Sequence, residues 1–227
     1  MTAIDWSATE AALDAYGNAI LPALLTPDQC NALVALYTQR ELFRSRIVMA
    51  RHGFGSGEYK YFAYPLPALL ETLRQNLYPH LAPIANRWNY ALRIGVHYPD
   101  TLNAFLRRCH AAGQTRPTPL LLQYTAGDYN CLHQDLYGEH VFPLQLTILL
   151  SQPEHDFTGG EFVMTEAGRQ QRAEVVPLRQ GDAVVFAVNH RPVPGKRGVR
   201  KVAMRHGVSR IHSGQRHTAG VIFHDAQ

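Results

Sequence analysis

The chain has 227 residues and 46% hydrophobic content, enough for one substantial buried core and the size of a single domain. Its three cysteines, Cys30, Cys109 and Cys131, are too sparse and odd in number for a disulfide framework. The N-terminus lacks a basic start followed by an apolar block, and no run of about 18 apolar residues exists to span a bilayer, so the expected location is cytoplasmic.

The first half reads mainly helical. In "SATEAALDAYG", Ser7 and Glu10 stand at capping-box spacing and Gly17 supplies a stop. In "TPDQCNALVALYTQRELF", Thr26 caps, Pro27 takes the first helical position, Asp28 faces the positive helix end and Gln29 closes the box. Between these and two further helical stretches, "PLPALLETLRQNLYPHL" and "YPDTLNAFLRRCHAAG", the run "RIVMARHGFGSGEYKYFAY" predicts strand around a glycine-rich bend. There Tyr59 and Tyr61 alternate around Lys60, as a structural hairpin would arrange them or as residues facing the mouth of a site would stand.

The period changes after a junction near Arg116–Pro119. "FPLQLTILLS" alternates, with Leu144, Leu146, Ile148 and Leu150 on one face and Pro143, Gln145 and Thr147 on the other. Further short strands follow, separated by Thr158-Gly159-Gly160, Gln180-Gly181-Asp182 and Ser213-Gly214-Gln215. Seven or eight such strands predict a sandwich or barrel, giving an α+β chain with helices first and an antiparallel double sheet after them. Residues 1–118 are expected to be mainly helical support within one domain, and 119–227 its core.

Charge is unevenly placed. Residues 183–224 hold eight bases (Arg191, Lys196, Arg197, Arg200, Lys201, Arg205, Arg210 and Arg216) and no acid, within a net charge of +4. "HRPVPGKRGVRK" has the Pro and Gly content of a solvated loop, which could still meet an anionic partner.

The chemistry concentrates in "YNCLHQDLYGE". His133 and Asp135 stand two apart, so on an extended strand they project to one side and converge on one ion. Cys131 shares that parity and is expected to be a plain buried thiol. A third ligand from elsewhere would complete a two-histidine, one-carboxylate face with open positions, the arrangement that suits non-haem Fe(II). His155, His190, His206, His212, His217 and His224 are the candidates. Arg216, ten residues after His206, can bind the distal carboxylate of a 2-oxoglutarate cosubstrate, which favours His206. His212 is the rival: the two lie about 20 Å apart if extended, so both cannot hold one ion.

In this order, "QYTAGDYNCLHQD", "LTILLSQPEHDFTGGEFVMTE", "LRQGDAVVFAV" and "RHGVSRIHSGQRHTAGVIF" resemble the Fe(II)/2-oxoglutarate-dependent dioxygenases, in the layout of the prolyl-hydroxylase-like branch. The resemblance implies a double-stranded β-helix, or jelly roll, with N-terminal supporting helices. It implies Fe(II) held by His133, Asp135 and His206, and 2-oxoglutarate held by Arg216, with Tyr124 and Thr218 on the same carboxylate. Tyr129 and Leu144 would line the site. The implied reaction consumes 2-oxoglutarate and O2, with ascorbate as a reductant, hydroxylates a C–H bond of a protein side chain, amino acid or small metabolite, and releases succinate and CO2.

Two alternatives stand beside it. Alkylation-repair dioxygenases carry a similar Tyr-Gly-Asp…His-x-Asp pattern, and the basic 191–210 segment offers nucleic acid a surface. Against this, "RHTAGVIF" lacks the second arginine usual in that branch, and no basic platform interleaved with aromatics is evident. A non-catalytic cupin-like binding protein would share the fold without needing His133, Asp135, His206 and Arg216 together.

Overall fold

The computed structural model describes residues 3–136, 138–168, 171–196 and 198–227. Helix α1 (Trp6–Tyr16) is capped by Asp5, whose side chain accepts from the Ala8 N–H, and not by Ser7. Asp5 reaches the free amide three residues on, so the helix begins two residues earlier than the Ser7 pattern predicts. Strand β1 (Asn18–Leu21) follows, then α2 (Pro27–Ala35), where the Thr26–Gln29 capping box forms as expected. The glycine-rich stretch gives β2 (Phe43–Val48), β3 (Gly55–Ser56) and β4 (Glu58–Phe62).

Helix α3 (Ala68–Ala91) runs well beyond Leu81, through Pro79 and Pro83. Its buried side chains Leu70, Leu73, Leu77, Leu81, Ile84, Ala85 and Trp88 keep one continuous apolar stripe. Both prolines lie on the exposed face, four residues apart. The carbonyls they leave without a helical donor, at positions 75 and 79, therefore face water. Burial of the stripe, at about 1.5–3 kcal/mol for each large side chain, outweighs the two lost hydrogen bonds. Helix α4 (Leu102–Ala111) is capped by Thr101.

The remaining strands are β5 (Leu120–Thr125), β6 (Tyr129–His133), β7 (Leu144–Leu149), β8 (Phe157–Gly159), β9 (Phe162–Glu166), β10 (Arg172–Val176), β11 (Ala183–Ala187), β12 (His190–Gly195), β13 (Gly198–Val208) and β14 (Ile211–Val221). They form two antiparallel sheets. The large one is ordered β1-β11-β7-β14-β5-β4-β2, with β8 paired to β14. The small one is ordered β10-β9-β13-β6-β3, with β12 paired to β13. This is the expected jelly roll with N-terminal helices, and strands β1, β2 and β4 from the helical half extend its large sheet.

The alternation read in β7 is realised. Leu144, Leu146 and Ile148 join a core with Tyr78, Trp88 and Phe105 of the helices, while Gln145 and Thr147 turn into the space between the sheets. A buried ion pair ties this layer down: Arg74 of α3 meets Asp225 at 3.1 Å, and Asp225 also accepts from Tyr64 at 2.9 Å.

The segment from His190 to Lys201 is a hairpin, not a solvated loop. Strand β12 pairs with β13 from His190↔Ala203 to Gly195↔Gly198, and Pro192 and Pro194 sit on the outermost strand. Arg191 is buried against Glu166 at 2.7 Å and the Asp14 carbonyl at 2.8 Å, so it is structural. Arg200 and Lys201 are exposed, and Arg197 lies outside the described residues.

Candidate active site

Strand β6 ends at His133, and Asp135 follows in the loop beyond it, so only the histidine is on the strand. The loop bends the carboxylate back: Asp135 lies 3.4 Å from His133 Nε2 and 3.4 Å from His206 Nε2. His206 reaches this point from β13, where it stands directly opposite His133 in register. The two imidazole centroids are 4.2 Å apart, and all three ligand atoms lie within 4.8 Å of one another, a grouping able to hold a metal ion. His212 is exposed on β14 and is not part of the group.

The electrostatics suit a cation. Burial alone would raise the Asp135 carboxyl, but His133 and His206 outweigh it and hold it well below the usual carboxylate range. Burial pulls the His133 imidazole down, and Asp135 more than restores it; burial lowers the enclosed His206 despite the same partner. The result is an anionic oxygen flanked by two nitrogens, the donor set a divalent metal takes. Cys131 is exposed and not the expected buried thiol; its backbone carbonyl accepts from His133 Nδ1 at 2.7 Å. Phe162 and Phe186 wall His206 at centroid distances of 5.9 and 4.5 Å.

The triad opens into a cavity of about 670 Å³ between the sheets, in the range of small-molecule sites. Arg216 forms one end. It is 1% exposed, and its Nε and Nη1 have no hydrogen-bond partner among the described residues. The guanidinium lies 5.7 Å from the Tyr124 and Phe157 ring centres. Burial lowers its pKa to about 10, offset in part by Tyr124 and Glu161, so it stays charged at neutral pH. Burial pushes the Tyr124 phenol up, and its hydroxyl too is unpartnered; Asn130 lies close enough to act on it, but not at hydrogen-bonding geometry. A buried cation beside an unused hydroxyl fits a carboxylate.

Two glycines shape this end. A Cβ on Gly57 (φ +115°) would sit 2.8 Å from the Tyr124 ring, and one on Gly160 (φ +66°) would press on Ile211 and lie 3.0 Å from Arg216 Cδ. Thr218 shares the cavity face with Arg216. Leu144 faces the helical core and Tyr129 lies 43% exposed outside the cavity, so neither lines the site. On β7 the lining residues are Gln145, Leu146 and Thr147, with Gln145 and Thr147 on the face opposite Leu144. Arg44, Tyr59, Tyr61 and His224 also line the cavity. The two tyrosines thus fill both expected places, in a hairpin and at the site.

The jelly roll and this site define a 2-oxoglutarate- and Fe(II)-dependent oxygenase. Residues 57–226 match the Oxygenase-NA family, described as "Oxygenase, catalysing oxidative methylation of damaged DNA", and the chain belongs to that family. An uncharacterized protein of Mycobacterium tuberculosis, found in strains CDC 1551 / Oshkosh and H37Rv, is 50% identical over 167 residues, 73% of this chain and 72% of its own length. Among solved structures, a Pseudomonas putida prolyl-4-hydroxylase is similar at TM-score 0.56 and 14% identity, over 98% of this chain and 99% of its own. A Trichoplax adhaerens prolyl hydroxylase, solved with a hypoxia inducible factor peptide, is similar at TM-score 0.57 and 13% identity, over 95% of this chain and 86% of its own. Membership of an oxygenase family does not agree with a non-catalytic cupin-like role. Among the described residues, no helix is long and apolar enough to cross a membrane.

Proposed function

We propose that the protein hydroxylates a C–H bond on an alkylated nucleic-acid base, consuming 2-oxoglutarate and O2 and releasing succinate and CO2. The observation that carries the reading is the unpaired, buried Arg216 guanidinium, which shares one cavity with the His133–Asp135–His206 group. The family's description supports the substrate class. This reading takes up the nucleic-acid alternative in place of a protein, amino-acid or metabolite substrate.

Bound Fe(II) supplies the oxygen activation that no side chain can. His133, Asp135 and His206 would hold it. Arg216 grips the distal carboxylate of 2-oxoglutarate, with Tyr124 and Thr218 completing the cradle. Phe162 and Phe186 exclude water around His206. Residues 1–118 support 119–227 within a single domain and add Arg44, Tyr59 and Tyr61 to the cavity wall.

Succinate release, measured with Fe(II) and ascorbate on methylated oligonucleotides and on proline-containing peptides, tests the substrate class. Turnover on the oligonucleotides supports the reading. Turnover confined to the peptides would overturn it.

A further inference from the structure

The cavity has a second arginine that the cosubstrate does not use. Strands β2 and β4 pair Phe43↔Phe62 and Ser45↔Tyr61, so Arg44 is the extra residue of a β-bulge. Bulges re-aim a side chain that regular pairing would turn elsewhere. Here the bulge lays the Arg44 guanidinium 4.5 Å from the centre of the Tyr61 ring, and its Nε donates to the Pro117 carbonyl at 2.8 Å. The side chain is half-buried, lines the cavity, and makes no ion pair among the described residues. Asp225, the acid whose charge acts on it, is committed to Arg74 and His110. Arg116, which is exposed and without an acidic partner among the described residues, adds positive charge beside it.

Register places this group far from Arg216. Tyr61 pairs with Leu120, which pairs with Gly220, whereas Arg216 pairs with Tyr124. Four residues of strand separate the two pairs, about 13 Å. A five-carbon dicarboxylate anchored at Arg216 with its other end at the metal cannot also reach Arg44. The fixed guanidinium fork, its face covered by Tyr61 and its terminal nitrogens free for an oxyanion, is therefore left to the other reactant.

We infer that Arg44 binds a backbone phosphate of the substrate strand beside the base being oxidised; this rests on the nucleic-acid reading above. The test titrates the full chain, loaded with Fe(II) and 2-oxoglutarate without oxygen, with two single-stranded methylated oligonucleotides. One is natural and the other has neutral methylphosphonate linkages flanking the lesion. Arg44→Gln should weaken binding of the natural strand by roughly tenfold or more, the effect of losing one charge-assisted contact. It should leave the neutral strand's affinity, iron retention and 2-oxoglutarate affinity unchanged, and Arg44→Lys should recover part of the loss. Equal affinity of wild type and Arg44→Gln for the natural strand, or equal weakening on both strands, overturns the inference while leaving the nucleic-acid reading in place. Wild-type protein that binds neither strand, or binds only an acidic peptide, brings down that reading and the inference with it.

Discussion

The Nδ1–H of His133 donates to the carbonyl oxygen of Cys131, 2.7 Å away, and so turns Nε2 toward Asp135. A backbone oxygen can only accept, so this bond fixes which nitrogen faces the metal position. The orientation comes from the strand itself, because the acceptor lies two residues back on β6.

Removing the group at that position should be decisive. His133→Ala, Asp135→Ala and His206→Ala are each expected to abolish iron retention after gel filtration, read by elemental analysis. His212→Ala should keep the metal, and loss of iron in that variant instead would displace His206 from the site.

Arg216→Ala should separate the two ligands. Iron stays, while 2-oxoglutarate affinity falls by at least about tenfold, since charge-assisted hydrogen bonds to a buried carboxylate are lost. Titration of the cosubstrate into iron-loaded protein without oxygen measures it. Unchanged affinity would mean the carboxylate binds elsewhere.

Gly160→Ala tests the packing behind that arginine. Its left-handed backbone and the contacts waiting for a Cβ predict a loss of about 1–3 kcal/mol in chemical denaturation, together with a raised KM for 2-oxoglutarate. A stable variant with normal KM would show that Arg216 has room to move.

Gln145→Leu should behave oppositely. The Gln145 Nε2 is buried and has no partner among the described residues, so replacing it with an apolar side chain of similar size should leave stability equal or slightly higher. Substrate-coupled turnover should nevertheless fall if that amide meets a ligand. Lower stability with full turnover would make it a structural residue.

Acid should weaken the fold through two enclosed histidines. Burial lowers His217 and His224 from 6.5 to about 4 in the folded chain; Asp156 partly opposes this at His217, while at His224 Arg74 adds to it and Asp135 and Asp225 oppose. Both bind fewer protons folded than unfolded, so their stabilisation is complete above pH 6.5 and is lost as pH falls toward 4. The slope approaches about 1.4 kcal/mol per pH unit for each group. Melting temperature across that range measures it, and a flat profile would exclude buried neutral imidazoles.

The sequence carried signals wherever a local rule decides the structure. The Thr26–Gln29 box and the alternation of β7 depend on neighbouring residues alone, whereas Asp5 took the cap expected of Ser7, and Asp135 meets His133 through a loop beyond β6 and not along a strand. The His190–Lys201 hairpin was hidden because Pro192, Pro194 and Gly195 mimic a loop, and only pairing with β13 makes them a strand. Helix α3 passes two prolines because its buried stripe, set by the fold, outweighs them. Arg44 had no signal, since its bulge exists only in the pairing of β2 with β4. The polar parity of Gln145 and Thr147 was visible; that it faced the cavity was not.

The two prolines of β12 have an effect beyond one molecule. On an outermost strand, proline is accommodated where its missing N–H would face solvent, so positions 192 and 194 offer an approaching chain no donors. Prolines on an outer strand blunt edge-to-edge association between crowded copies. The double change Pro192→Thr and Pro194→Thr is expected to leave catalysis intact yet give material that sediments on concentration.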